Sequence, residues 1–260
     1  MASYCDARLH NGTWRLRLDD IDPPREMADA AKQIPRSLNT YGFNWDGNII
    51  NQSMRTAVYR QHLLELNEKS ALFLCACTRK ELAGCAIYPG NCRTETNSHT
   101  KNLIKNKIID NDVNLNDLIQ GNQFFIAGEH FGDTVLARRD DLFSYALCCA
   151  IDDADGITHV IRGSDLLPTT GVQVRLMQLL ALPIPQYAHI PVALNSEQQK
   201  LSKQTLAEPI DEMPVLATLL RAWQFLGQTQ LNVHSVDAFW QAAFAAWQIS
   251  LVPKCMSQAQ

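Results

Sequence analysis

The stretch RTAVYRQHLLELNEKSALFLC, residues 55–75, changes its hydrophobic rhythm partway along. Val58, His62, Leu63 and Leu66 recur at three- and four-residue spacing, which predicts an amphipathic helix over 55–68. Residues 71–75 are then apolar without a break, as in a short buried strand. Upstream, Trp14-Arg15-Leu16-Arg17-Leu18 alternates like a strand and enters the acidic turn Asp19-Asp20-Ile21-Asp22-Pro23-Pro24-Arg25. Strand, helix and strand predict βαβ units and a parallel sheet, so the expected fold class is α/β.

Working outward, residues 2–10 read as the end of a helix. Residues 26–41 read as another, with Ala28, Ala31, Ile34 and Leu38 on one face and a kink or break at Pro35. Asn44-Trp45-Asp46-Gly47 is a turn. Thr78-Arg79-Lys80-Glu81 has capping-box spacing, which predicts a short helix after Cys77. Residues 94–120 are polar and poorly patterned, an insertion rather than a core layer. Further strands are expected at 123–127, 133–138, 145–151, 157–161 and 187–194, and helices at 169–180, 213–226 and 236–248.

A chain of 260 residues can hold one large domain, or one domain with a small appendage. With 46% apolar and 19% charged residues the composition is that of an ordinary soluble protein. No apolar run approaches the ~18–20 residues of a membrane span, and Met1 to Arg8 contain no apolar signal region. A net charge of −4 argues against indiscriminate nucleic-acid binding. It leaves room for a local basic groove at Arg138-Arg139 or at Lys101, Lys105 and Lys107, although the lysine run also reads as a solvated face. Cysteines crowd between 75 and 92, and Cys148-Cys149 sit in an apolar strand-like run. That arrangement suits reduced thiols and a cytoplasmic protein.

Lys200-Leu201-Ser202-Lys203-Gln204 carries the clearest chemistry. Two ammonium groups flanking a hydroxyl can neutralise and hydrogen-bond the oxygens of a polyphosphate. An isolated lysine-rich turn is as readily a solvated surface turn, so its weight depends on its company.

That company resembles a known family. Asp19 to Arg25, Trp45-Asp46-Gly47, Gln52-Ser53, Cys75-Ala76-Cys77-Thr78-Arg79, Tyr88-Pro89-Gly90-Asn91-Cys92-Arg93, Arg138-Arg139-Asp140, Asp152-Asp153, Ile161 to Leu166 and the lysine loop occur in order. Together they resemble the glutamyl-queuosine tRNA(Asp) synthetases, short paralogues of glutamyl-tRNA synthetase, over nearly the whole chain. The resemblance implies a Rossmann-type class I catalytic domain with a zinc-binding insertion and a C-terminal helical segment. Its parts would be 1–70 and 131–208 for the catalytic domain, 71–130 for the insertion and 209–260 for the helices. The implied activity is activation of L-glutamate with ATP and Mg²⁺, then transfer to queuosine in tRNA(Asp), by a monomer.

The resemblance also assigns residues. Lys203 would be catalytic, stabilising charge on the ATP phosphates, with Lys200 and Ser202 also binding ATP. Asp19, Tyr145 and Arg162 would bind glutamate. Asp19 stands where the family has a glutamate, one methylene longer, and Arg162 suits a carboxylate by its planar fork. Asp165 would hold Arg162 or cap the following helix. Cys75, Cys77, Tyr88 and Cys92 would hold one structural zinc ion. Cysteine spacing does not single out Tyr88; the resemblance does, with Cys85 and His99 as competing ligands. Asp152-Asp153 would bind Mg²⁺ or form a solvated strand end.

One family feature is not found. The Pro-Ser-Pro-x-Gly-x-x-His-x-Gly-Ser turn that cradles ATP does not occur in these 260 residues, and residues 2–8 match the end of the helix that follows it. The expectation is an N-terminally shortened chain whose first strand and ATP-binding turn are absent. The alternative to an active enzyme is an impaired relative that retains zinc and tRNA binding.

Overall fold

The computed structural model describes residues 1–22, 29–93, 103–106, 111–195, 197–201 and 209–259. Helix α1 (Ala2–Leu9) buries Ala2, Tyr4, Cys5 and Asp6. Asp46 then fixes the return of the chain by accepting from Arg8 Nη1 and from the Trp14 N–H, both at 2.7 Å. This brace accompanies the parallel pairing of β1 (Arg17–Leu18) with β2 (Ile50–Asn51).

Between those strands, α2 (Ala30–Thr40) runs through Pro35 without ending. The proline forfeits only its own ladder bond there. The expected apolar stripe is not buried: Ile34 is exposed and Leu38 alone reaches the core. Ala28 lies outside the described residues. In α3 (Thr56–Glu68), Tyr59, Leu63 and Leu66 face the core, while Val58 is exposed.

The strand expected after α3 forms as β3 (Leu72–Cys75), but in an antiparallel sheet. It pairs with β4 (Leu103–Asn106), which pairs in turn with β7 (Val135–Ala137). No helix follows Cys77. Residues 79–84 form turns, although the capping box is made, with the Thr78 N–H 2.6 Å from Glu81 Oε2. A cap cannot sustain a helix that has no buried face.

Strands β5 (Val113–Asp117) and β6 (Gly121–Phe125) form a hairpin. Val113 and Leu115 enter the main core, so the reading of 94–120 as lying outside the core is corrected for them. The largest departure is α4 (Tyr145–Ala154), a helix where 145–151 read as a strand. Ser144 Oγ caps it by accepting the Leu147 N–H at 3.3 Å. Residues 147–151 are all buried, and a run apolar on every side shows neither period.

Strands β8 (His159–Gly163) and β9 (Gln186–Ile190) are parallel and joined by α5 (Leu167–Leu180), a βαβ unit. Strand β10 (Val192–Leu194) pairs in parallel with β11 (Ser257–Ala259), a strand not anticipated from the sequence. One core lies among α3, α4, α5 and the β5–β6 hairpin. A second joins α1 to α6 (Val215–Phe225) and α7 (Val236–Ala246) through Tyr4, Phe43 and Trp240. Gly42, at φ +77°, has room for no Cβ, which would lie 2.6 Å from Trp240 Nε1. Among the described residues no helix is long and apolar enough to cross a membrane.

Candidate functional site

Helical spacing places Tyr145, Cys149 and Asp153 on one face of α4. The side chain that binds this face to β1 is Arg17. Its Nε donates to Asp19 Oδ1 at 2.7 Å and its Nη1 to Asp153 Oδ1 at 2.8 Å, with Nη2 3.3 Å from Cys149 Sγ. Burial pushes the Cys149 thiol up to about 12, against the pull of Arg17. It also raises Asp153, a shift that Arg17 only partly opposes. The Tyr145 phenol is raised too, chiefly by burial, with Cys149 and Asp19 adding to the shift and the charge of Arg162 opposing it.

Arg162 projects from β8. Its Nε lies 3.2 Å from His189 Nε2, and its Nη2 donates to Thr170 Oγ1 at 2.8 Å and Gln173 Oε1 at 2.6 Å. The guanidinium carbon stands 5.2 Å from the Tyr187 ring centroid. Among the described residues Nη1 has no hydrogen-bond partner, so the fork keeps one edge for a ligand. Asp19, Tyr145 and Arg162 are thus joined in one electrostatic cluster by Arg17 and Tyr187, which motif reading did not pick out, and by Cys149 and Asp153, which it assigned to an apolar run and a Mg²⁺ pair. Alternation in residues 14–18 marked Arg17 only as a strand residue.

Asp165 neither holds Arg162 nor caps α5. It accepts from Lys200 Nζ at 2.6 Å instead. The Leu201 N–H bonds Ala193 O at 2.9 Å, so the start of the lysine loop is fastened to β10 and set against the segment that follows Arg162. Ser202 and Lys203 lie outside the described residues, as does Arg25.

Asp152 and Asp153 are buried at the end of a helix, not at a solvated strand end. Asp152 accepts from Gln52 Nε2 and Arg55 Nε at 2.7 Å and from Tyr59 Oη at 2.8 Å. Carboxylates engaged in this way are not a Mg²⁺ site. Among the described residues, the basic side chains singled out in the sequence are engaged by protein groups. Arg138 contacts Asp22 and Asp140, Arg139 bonds Ala76 O, and buried Lys105 sits 3.7 Å over the Tyr88 ring. Lys101 and Lys107 lie outside the described residues.

Cys75, Cys77 and Cys92 bring their sulfurs within 4.8 Å of one another. The Cys77 and Cys92 sulfurs are 3.5 Å apart, and Tyr88 Oη lies 3.5 and 3.6 Å from those of Cys75 and Cys77. Sulfurs on a tetrahedral zinc ion are separated by roughly 3.7 Å, from Zn–S bonds of about 2.3 Å. Three thiols and a phenol at these distances therefore fit such an ion. Exposed Cys85 is not part of this cluster, and His99 is outside the described residues.

Residues 1–233 match the family model for tRNA synthetases class I (E and Q), catalytic domain. A glutamyl-Q tRNA(Asp) synthetase of Aromatoleum aromaticum is 39% identical over 98% of this chain and 84% of its own length. One from Ectopseudomonas mendocina is 38% identical over 100% of this chain and 90% of its own. Among solved structures, the glutamate-tRNA synthetase of Elizabethkingia anophelis superposes with a TM-score of 0.83 at 21% identity, covering 100% of this chain. This chain spans 63% of the length of that protein. The structural likeness establishes the α/β catalytic-domain fold.

Proposed function

The chain belongs to the glutamyl-Q tRNA(Asp) synthetases, within the class I (E and Q) tRNA synthetases, and from that membership we propose that it joins glutamate to queuosine of tRNA(Asp) at the expense of ATP. In the first step a glutamate α-carboxylate oxygen attacks the α-phosphorus of ATP, pyrophosphate leaves, and glutamyl-adenylate forms. In the second a queuosine hydroxyl attacks the acyl carbon and AMP leaves. The observation that carries the reading is the open edge of Arg162, a fixed cation whose Nη1 meets no protein group among the described residues.

A glutamate carboxylate takes the two Nη1 N–H groups of Arg162 by charge-assisted hydrogen bonds. Asp19, steered by Arg17, receives the ammonium. Tyr145 supplies an apolar wall and a neutral phenol, its proton held more tightly than usual by burial. Lys200 and Lys203 neutralise the ATP phosphates and the Ser202 hydroxyl hydrogen-bonds them, with Mg²⁺ accompanying the nucleotide and Lys203 acting on the transition-state charge. Glutamate-dependent exchange of labelled pyrophosphate into ATP, without tRNA, tests the first step. Exchange is expected with glutamate, followed by glutamylation of queuosine-containing tRNA(Asp) but not of unmodified tRNA(Asp). No exchange, or equal labelling of both tRNAs, would overturn the proposal.

Cys75, Cys77, Tyr88 and Cys92 would hold a zinc ion, which would contribute structural cross-linking of the turns after β3 and no reaction step. Purified protein is expected to carry one zinc per chain by elemental analysis. Cys92→Ala should lose it while Cys85→Ala keeps it; full zinc content in Cys92→Ala would remove Cys92 from the ligand set.

A further inference from the structure

Behind Arg162, away from its open edge, lies a buried polar chain. Asp117, at the end of β5, and His189, on β9, have side chains with no solvent exposure, and His189 Nδ1 stands 2.6 Å from Asp117 Oδ2. Asp117 Oδ1 meanwhile accepts the backbone N–H groups of Ile119, Gln120 and His189 at 3.0, 2.8 and 3.1 Å. Burial works against charge on this carboxylate, yet the bonds from His189 and the amides hold it below its usual range. It is therefore an acceptor, and Nδ1 carries the shared proton.

The other imidazole nitrogen then has a lone pair to offer. Arg162 Nε, 3.2 Å from His189 Nε2, has only a hydrogen to give, so this tautomer matches and the opposite one sets two N–H groups against each other. Thr170 Oγ1 lies 3.1 Å from both Leu166 O and His189 Nε2; its one proton goes to either acceptor, and its oxygen accepts from Arg162 Nη2 at 2.8 Å. Each described contact of the guanidinium except Nη1 is thus settled from behind.

We infer that Asp117 and His189 are positioning residues for substrate selection: the carboxylate fixes the imidazole tautomer, and the imidazole orients the guanidinium so that Nη1 meets the carboxylate of the amino acid. The inference rests on the reading of Arg162 as the carboxylate-binding group. Neither residue touches substrate, and their effect passes entirely through Arg162.

Asp117→Asn keeps the side chain's shape, removes its charge and reverses this polarity. Its amide oxygen can keep the three backbone N–H groups, while its NH₂ now donates toward Nδ1 and drives the proton to Nε2. In ¹⁵N-histidine spectra of the free protein, His189 is expected as the Nδ1–H tautomer, switching to Nε2–H in the variant. The Arg162 Nε–H is expected to exchange slowly in the parent and to lose that protection in the variant. In pyrophosphate exchange, KM for glutamate should rise by about 10²-fold, the usual consequence of displacing a positioning group by an ångström. KM for ATP should stay within twofold, and His189→Asn should show the same split.

An Nε2–H or doubly protonated His189 in the parent protein at neutral pH would overturn the inference. So would equal rises of both KM values. A parent protein that shows the expected tautomer and Arg162 protection but no glutamate-dependent exchange would leave the buried relay standing and count against the glutamate reading instead.

Discussion

Arg162→Lys should lower kcat/KM for glutamate in pyrophosphate exchange by a factor on the order of 30 to 5,000, with most of the loss in KM. Removing one member of a desolvated, hydrogen-bonded charge pair costs about 2–5 kcal/mol, and each 1.36 kcal/mol is tenfold. Lysine retains the positive charge, so the experiment isolates geometry. Arg162 uses Nε for His189 and Nη2 for Thr170 and Gln173, and among the described residues leaves Nη1 without a partner. An ammonium cannot serve three fixed partners and still present two hydrogens in a set plane. The KM for ATP should be unchanged if the phosphates are held by the lysine loop, as proposed. A variant with glutamate KM within threefold of the parent would show that Arg162 does not bind the substrate.

Asp152→Ala should be the most damaging single change to stability, at about 3–5 kcal/mol, the range for breaking a buried charge pair from one side. Gln52 and Tyr59, both fully buried, would lose an acceptor, and Arg55 would lose the nearer of its two carboxylates. Arg55 also meets Asp155 at 2.8 Å, but that side chain is 66% exposed. Asp155→Ala should therefore cost no more than about 1 kcal/mol. Urea unfolding of the two variants checks this directly. Equal midpoints would mean that Asp152 is no more than a surface ion-pair partner.

Asp152 also shows why some functional-looking motifs mislead. Two adjacent aspartates read as a cation site because sequence gives charge without burial. The neighbours that neutralise them, Gln52, Arg55, Tyr59 and Arg17, are between 93 and 136 residues away. The same run explains the error in α4. Helical spacing of Tyr145, Cys149 and Asp153 was present, but apolar residues on every other side concealed it. Strand β5 was hidden for the opposite reason: its outward Asn114 and Asn116 are polar enough to make 94–120 look like an insertion.

Local patterns were sufficient where one face of an element meets solvent or where a motif needs particular chemistry. Helix α3, strand β3, the βα succession and the thiol-rich stretch from Cys75 could be named from the order of side chains, whereas Asp19, Tyr145 and Arg162 were proposed only through the family resemblance. Tertiary structure alone decided which charges cancel, because pairing depends on distance through space. It joined Arg17 to Asp153 across 136 residues and placed His189 and Asp117, 72 apart, behind Arg162. A buried polar group must find its partner wherever the fold brings one within about 3 Å, and linear spacing carries no record of that.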